Sequence, residues 1–309
     1  MTDFSPIEEC CHAFFATQQL TQDSRRIFHG RGHYYPNLEW CVLDYYAPLV
    51  LLTVFSVPED KKLTDLVALL SSILPASVTH FVVQRRDLNN APYEWYRGEP
   101  LEQNTVFAKR GNLKFHLDFQ QQNTGYFLDM EPGRTWLAKR ANGSRVLNLF
   151  AYTCAFSVVA IEYGAQSVVN VDLSRRSLTT GRENHRLNQH DTNKVKFLGV
   201  DILKSWGKLK KMRPYDIVIV DPPSFQKGSF VATKDYQKVV RRLPELLSET
   251  GTVLSCLNAP EFNSEYLKDI FAEQAPELSF LERLTPSQDF PDEDEERKLK
   301  LLIYSNKKL

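Results

Sequence analysis

Asp221-Pro222-Pro223-Ser224-Phe225 joins an acid, two prolines and an aromatic to the apolar run Tyr215–Val220 (YDIVIV). An apolar strand that ends this way sets a stiff shelf at the carboxyl edge of a sheet. Each proline fixes φ and removes a backbone donor, so the carbonyls face the crevice with no amide competing for them. Asp221 and the Pro222 carbonyl can accept from the donors of a planar base, and Phe225 offers a face for it to pack on. Asp-Pro-Pro also serves ordinary turns. Its meaning depends on its neighbours.

Upstream, residues 145–150 (RVLNLF) form a strand pattern that runs into Ala151-Tyr152-Thr153-Cys154-Ala155-Phe156-Ser157. Small residues at a strand-to-helix turn let a ligand approach the backbone. The next strand pattern ends at Asp172, 22 residues beyond Phe150. At about that spacing an acid grips a ribose diol. A third ends in Gly199-Val200-Asp201, where a carboxylate can accept from the exocyclic amine of adenine. The fourth ends at Asp221. A single acid at a strand end is explained by capping of the next helix, whereas three along one edge suggest a nucleoside-like ligand. The turn lacks G-x-G-x-x-G, which holds a dinucleotide pyrophosphate at a helix N-terminus. That argues against an NAD- or FAD-dependent oxidoreductase.

The elements that position these residues are legible from periodicity. Strands are predicted over residues 146–150, 167–171, 195–199, 215–220 and 252–257, and helices over 156–163, 176–188 and 236–247. This alternation predicts an α/β fold with a Rossmann-like, doubly wound, mostly parallel sheet over residues 121–309. All its strand C-termini should lie on one edge. Residues 34–120 predict a smaller α+β domain suited to substrate binding. Its strands are expected at 40–46, 49–56 and 78–84, its helix at 62–74 and its hairpin at 105–119. Residues 1–33 predict a helical lead that ends in Arg25-Arg26-Ile27-Phe28-His29-Gly30-Arg31-Gly32-His33. Those arginines and histidines either meet phosphate or form a solvated loop. The charge run at 291–297 (PDEDEER) suggests an exposed loop.

The chain has 309 residues, 42% hydrophobic and 25% charged, with 38 Lys+Arg against 38 Asp+Glu. That is the composition of a globular protein with ample apolar material for a core. Zero net charge sets it apart from the usual basic, non-specific nucleic-acid binder. Five cysteines without a CxxC pair point away from a disulfide framework or a structural zinc, and no metal is expected. The N-terminus is acidic where a signal peptide would be basic, and no apolar run could span a membrane. A cytoplasmic location and no membrane partner are expected.

The stretches 148–157 (NLFAYTCAFS), 171–174 (VDLS), Asp201 and Asp221–Phe225 together resemble the class I S-adenosylmethionine-dependent methyltransferases. More narrowly they are similar to the bacterial 23S ribosomal RNA large-subunit methyltransferase group, and Gln122–Asp129 (QNTGYFLD) resembles that group's Q-x-T-G-F-F-L-D segment. The resemblance runs from about residue 34 to the C-terminus. It implies S-adenosylmethionine as cofactor, held by Thr124, Gly125, Phe127, Asp129, Phe150, Ala151, Tyr152, Asp172, Ser174, Asp201 and Asp221. This cofactor carries no phosphate, so a turn of small residues suffices for it. Cysteine stands at 154 where the family has glycine. The N-terminal RNA-binding module of some members is not expected, since about 33 residues precede the α+β region.

Members that methylate carbon 5 of cytosine use a cysteine after the strand that follows Asp-Pro-Pro. Here Asn258 falls at that place, and Cys256 lies two residues earlier, inside the strand. Asn258 matches the type that methylates a ring nitrogen. Such transfer needs positioning more than a strong base. Asp221, Pro222, Pro223, Phe225 and Asn258 are therefore the expected catalytic residues. The expected activity is methyl transfer to a base nitrogen of structured RNA, ribosomal RNA first, within rRNA processing. The alternatives are a methyltransferase for a small molecule or protein, and a non-catalytic RNA-binding protein that retains the fold. The oligomeric state is left open.

Overall fold

The computed structural model describes residues 3–17, 22–56, 59–101, 105–223, 225–226 and 230–306. The chain divides into two compact units, Met1–Leu128 with Ser287–Asp294, and Asp129–Pro286 with Glu295–Leu309.

The first unit contains α1 (Ser5–Thr17), β1 (Arg25–His29), β2 (Cys41–Tyr46), β3 (Leu49–Val54), α2 (Asp60–Ile73), β4 (His80–Arg85) and β5 (Tyr93–Arg97). The strands form one sheet in the order β1-β2-β3-β4-β5. β3 and β4 are parallel, joined by α2, and the other pairs are antiparallel. CVLDYY and LVLLTV are almost wholly apolar, and every residue of β2 and β3 is buried. Central strands covered on both faces behave this way. Alternate residues Leu43, Val50, Leu52 and Phe81 share a core with Phe14 of α1 and Leu66 of α2. Gln84 points to the other face, where its wholly buried amide donates to the Gln122 carbonyl at 2.9 Å. The expected hairpin forms from β6 (Phe107–Arg110) and β7 (Leu113–His116). The helix expected over residues 1–33 ends at Thr17, and Arg25–His29 is an edge strand instead. A register shift between Arg26 and Phe28 breaks the two-residue alternation that would have marked it.

In the second unit the order is α3 (Glu131–Ala138), β8 (Arg145–Leu149), α4 (Ala155–Glu162), β9 (Ser167–Asp172) and α5 (Arg175–Leu187). β10 (Val195–Gly199), α6 (Trp206–Lys210), β11 (Tyr215–Val220), β12 (Phe225–Gln226), β13 (Phe230–Val231) and α7 (Ala232–Val240) follow. β14 (Leu247–Leu257), α8 (Ser264–Gln274), β15 (Ser279–Arg283) and β16 (Lys300–Ser305) complete it. Seven strands form a sheet in the order β10-β9-β8-β11-β14-β16-β15. The first five are parallel; β16 runs antiparallel to both β14 and β15. This is the expected doubly wound α/β sheet with an antiparallel edge added. Strand order reverses between β8 and β11, which places the ligand crevice beyond their carboxyl ends.

The helix expected over 236–247 stops at Val240, and β14 begins at Leu247. Pro244 cannot donate within a helix, and it disfavours helical backbone at Leu243. α3, α8, β15 and β16 lie beyond the elements expected from the sequence. β15 has no buried alternation to reveal it, with Phe280, Leu281 and Glu282 all exposed.

A chain of polar groups crosses this unit's interior. Asn148 of β8 donates to Asn170 of the facing strand at 2.9 Å, and Asn170 donates to Ser157 Oγ of α4 at 2.9 Å. Ser157 Oγ lies 2.8 Å from His185 Nε2, and His185 Nδ1 lies 3.1 Å from His190 Nδ1. His190 Nε2 ends the chain 3.1 Å from Glu162 Oε2. Asn148, Asn170, Ser157 and His185 are buried, so the linkage satisfies groups that would otherwise be costly in the core.

Candidate functional site

The turn after β8 is wound tightly. Phe150, Tyr152 and Cys154 take φ of +59°, +47° and +62°. Non-glycine residues adopt this left-handed region rarely, at a cost of about 1 kcal/mol each. Cys154 therefore does take the angle that glycine would favour. Three bonds fix the turn: Ala151 N–H to the Val171 carbonyl (3.0 Å), Cys154 N–H to the Ala151 carbonyl (2.7 Å) and Tyr152 N–H to Asp172 Oδ2 (2.8 Å). On α5, Gly181 faces the turn so closely that an added Cβ would lie 2.4 Å from Cys154 Sγ. The missing side chain at 181 gives Cys154 its room.

Asp172 ends β9 and is tied to that turn. Oδ2 accepts from Tyr152 N–H and Oδ1 from Ser174 N–H at 2.7 Å. The Leu173 amide also acts on the carboxylate, and no cation pairs with Asp172 among the described residues. Burial raises its pKa above the usual carboxylate value, while the Ser174 and Tyr152 amides pull it back. Ser174 caps α5, its Oγ accepting from Ser177 N–H at 3.1 Å. Asp201 caps the short turn Ile202–Lys204: Oδ1 accepts from Leu203 N–H at 2.9 Å and Oδ2 lies 3.3 Å from Lys204 Nζ. Asp172 is thus the acid held by backbone amides alone, whereas Asp201 has a lysine beside it.

Asp221 begins the segment beyond β11, at the strand-order reversal. It keeps a little accessible surface, yet enough protein surrounds it to desolvate the carboxylate. Its pKa rises to about 7, first through burial and then through the charge of Asp129, with Arg134 opposing. It has no hydrogen-bond or ion-pair partner among the described residues. Pro222 is buried and Pro223 exposed. Ser224 and the Phe225 side chain lie outside the described residues. The Phe225 backbone pairs with Val231 in the small β12–β13 ladder. On β14, Asn258 is exposed just past the strand's end. Cys256 is wholly buried within the strand, its thiol pushed well above the usual range, first by burial. A thiol held protonated in this way is no nucleophile.

Of the Gln122–Asp129 segment, Thr124, Gly125 and Phe127 belong to the first unit and Asp129 to the second. Thr124 is buried beside Tyr46, Gly125 takes φ +109°, and Phe127 is exposed.

Two contributors escape sequence inspection. Arg134 is 2% exposed on α3, its Nε 3.1 Å from Glu131 Oε2, and it supplies the positive charge that acts on Asp221. The available signal was an arginine between apolar positions of a short helix. Phe230 of β13 is buried and packs edge-to-face on Phe150, ring centroids 4.9 Å apart. Among the described residues no group of three or more His, Cys, Asp or Glu could hold a metal. No described helix is long and apolar enough to cross a membrane.

A family described as S-adenosylmethionine-dependent methyltransferase matches residues 25–305. Ribosomal RNA large subunit methyltransferase I of Aeromonas hydrophila subsp. hydrophila is 32% identical over 203 residues, which cover 63% of this chain and 51% of that protein. The chain thus spans about half the length of that relative. The protein of the same name from Escherichia coli O127:H6 is 25% identical over 320 residues, covering 93% and 78%. Among solved structures, the SMU.776 chain complexed with SAH superposes with a TM-score of 0.86 at 24% identity, covering 99% of this chain and 82% of that one. The SAM-dependent methyltransferase from Agrobacterium tumefaciens gives 0.66 at 16% identity, covering 92% and 89%. With the matched family extending over both units, the chain belongs to the S-adenosylmethionine-dependent methyltransferases.

Proposed function

We propose that this protein transfers the methyl group of S-adenosylmethionine to a base nitrogen of structured RNA, ribosomal RNA first. The supporting observation is the Asp221 carboxylate, desolvated and without a hydrogen-bond partner among the described residues, at the reversal of strand order. A carboxylate held so is open to the donors of an incoming base. RNA is favoured by the similarity to ribosomal RNA methyltransferases.

The donor set fits the cofactor. The Asp172 carboxylate, held by amides and by no cation among the described residues, would accept from the ribose hydroxyls. The Phe150-Ala151-Tyr152 turn would lie against the nucleoside, with Asp201 near the adenine amine and Ser174 bracing Asp172 through its amide. Asp129 would stand beside Asp221. The roles of Thr124, Gly125 and Phe127 rest on the resemblance of their segment. When bound, the cofactor supplies a methyl group on a positively charged sulfur. Asp221 and the Pro222 carbonyl would orient the base so that its nitrogen lone pair points at that methyl, with Pro223, Phe225 and Asn258 bounding the shelf. Positioning of this kind carries most of the catalysis when the acceptor already has a lone pair. In this division of labour residues 121–309 hold the cofactor and residues 34–120 serve the substrate.

The test is transfer of labelled methyl to ribosomal RNA from cells lacking the protein, with nucleoside mass spectrometry of the product. A methylated ring nitrogen is expected. Label in protein or small molecules but not in RNA would overturn the substrate. A covalent adduct with 5-fluorocytosine RNA would overturn the nitrogen acceptor.

A further inference from the structure

The basic run at residues 25–33 contains three arginines, and the first unit treats them differently. Arg25 forms a two-point pair with Asp289, at 2.9 and 2.6 Å. Arg26 does the same with Asp44, at 2.7 and 3.0 Å. Arg31 has no ion pair or hydrogen bond among the described residues. Its guanidinium lies 4.1 Å over the Phe55 ring, and that of Arg86 lies 5.5 Å from the same ring.

Arg86 has only neutral partners: Gln84 Oε1 at 3.1 Å, Asn123 Oδ1 at 3.2 Å and the Gln122 carbonyl. Although Arg31 keeps an exposed face, the protein crowded around its guanidinium, and then the charge of Arg26, hold it below the usual range. Burial also lowers Arg86, against the pull of Tyr93 and Asp44 and helped by Arg31 and Arg26. The one carboxylate that acts on Arg86, Asp44, is already paired with Arg26, and no carboxylate among the described residues acts on Arg31.

The backbone builds this placement. Arg31 sits between two buried glycines in a tight turn, Gly30–Gly32. A Cβ on Gly30 would lie 1.9 Å from the Leu38 carbonyl oxygen, and one on Gly32 would lie 1.9 Å from that of Pro291. No other residue fits so close to backbone. The turn is seated against its neighbours at both glycines and leaves Arg31 exposed.

We infer that Arg31 and Arg86, braced on Phe55, form a contact site for the phosphodiester backbone of RNA. The occupant rests on the proposed RNA substrate. A guanidinium stacked on an aromatic is held flat at low entropic cost and presents its N–H edge to phosphate oxygens. Such a contact adds affinity irrespective of sequence and releases counterions.

The full-length protein is titrated into a fluorescein-labelled RNA hairpin over a range of salt concentrations. Arg31→Ala and Arg31→Lys are measured alongside, with S-adenosylmethionine affinity as the check on folding. Arg31→Ala should weaken RNA binding about three- to tenfold at low salt and reduce the slope of log K against log[salt] by roughly 0.7–0.9. Arg31→Lys should restore the slope, and cofactor affinity should stay unchanged throughout. If the wild type binds RNA but Arg31→Ala leaves affinity and slope unaltered, the cluster proposal fails and the RNA substrate survives. If the wild type binds no RNA at any salt, both fail. Displacement of the hairpin by inorganic phosphate, at constant ionic strength and equal phosphate concentration, would show a free-anion site and overturn the RNA occupant.

Discussion

The two units leave charge uncompensated in opposite senses. In the first, carboxylates neutralise Arg25 and Arg26, while Arg31 and Arg86 stand without an acidic hydrogen-bond partner among the described residues. In the second, Asp172 is held by amides alone and Asp221 by no hydrogen bond, with only the longer-range charge of Arg134 against it. Folding stability explains neither, since an unanswered charge costs more than a paired one. Opposite imbalances suit different guests. Open carboxylates beside a left-handed turn suit a diol and a cationic sulfur, and open guanidiniums suit a polyanion.

The second unit's half of that comparison is the easier to break. Asp172→Ala should weaken S-adenosylmethionine binding by roughly 2–4 kcal/mol, the range for losing paired charge-assisted bonds. Asp172→Asn should fall between it and the wild type. Calorimetry on folded variants decides, and unchanged affinity would remove Asp172 from the cofactor site. Asp221→Ala should lower single-turnover methyl transfer about 10²-fold or more while cofactor affinity changes far less. If thermal stability falls in step with rate, Asp221 is structural instead.

Asp221 also predicts a pH dependence. Its folded pKa is raised to about 7 from an ordinary value of 3.8. Below that ordinary value the group is protonated in both states and carries no penalty. As pH climbs toward 7 the unfolded chain ionises first, so native stability falls, with no further loss from this group above 7. Asp221→Asn should therefore be more stable than wild type at pH 8, by roughly 1–3 kcal/mol, and no more stable at pH 3.5. Urea melts at the two values test this. The smallest effect is expected at Cys256. Cys256→Ser should retain activity within about fivefold, because the thiol is buried inside β14 and ionises poorly.

How far this was legible in the sequence depends on the kind of signal. β8, β9, β10 and β11 appear within a residue of their expected limits because parallel, buried strands are written as apolar runs bounded by turns. Asp172 and Asp221 are legible for the same reason, as the first polar residues after such runs. What set Asp172 apart from Asp201 was not legible. Both end a strand pattern, but the turn after Asp201 is short enough for that acid to cap, and Lys204 comes within reach. Arg134 escaped because a buried arginine on α3 looks like any surface residue until its partners are placed. Cys154 departs from glycine in sequence but not in backbone angle, and its compensation lies 27 residues away at Gly181. No local pattern reveals that pairing.

The polar chain from Asn148 to Glu162 has a sense of direction. With Glu162 ionised, His190 donates from Nε2 and accepts at Nδ1, so the proton between the imidazoles sits on His185 Nδ1. Burial, with the neighbouring His190, pushes His185 down to about 3; it stays neutral, and its Nε2 must accept from the Ser157 hydroxyl. Ser157 accepts in turn from Asn170, and Asn170 from Asn148. Every arrow then points outward from the sheet, and both tautomers are dictated by a carboxylate at the far end. The three bonds from Asn170 to His190 can reverse only together. An Asn170→Asp change would turn Ser157 inward, move the His185 proton to Nε2 and leave His190 holding two, an imidazolium against Glu162. A substitution in the centre of the sheet would thus be written as a charge at the end of a helix. Nitrogen-15 shifts of the two rings would read that message directly.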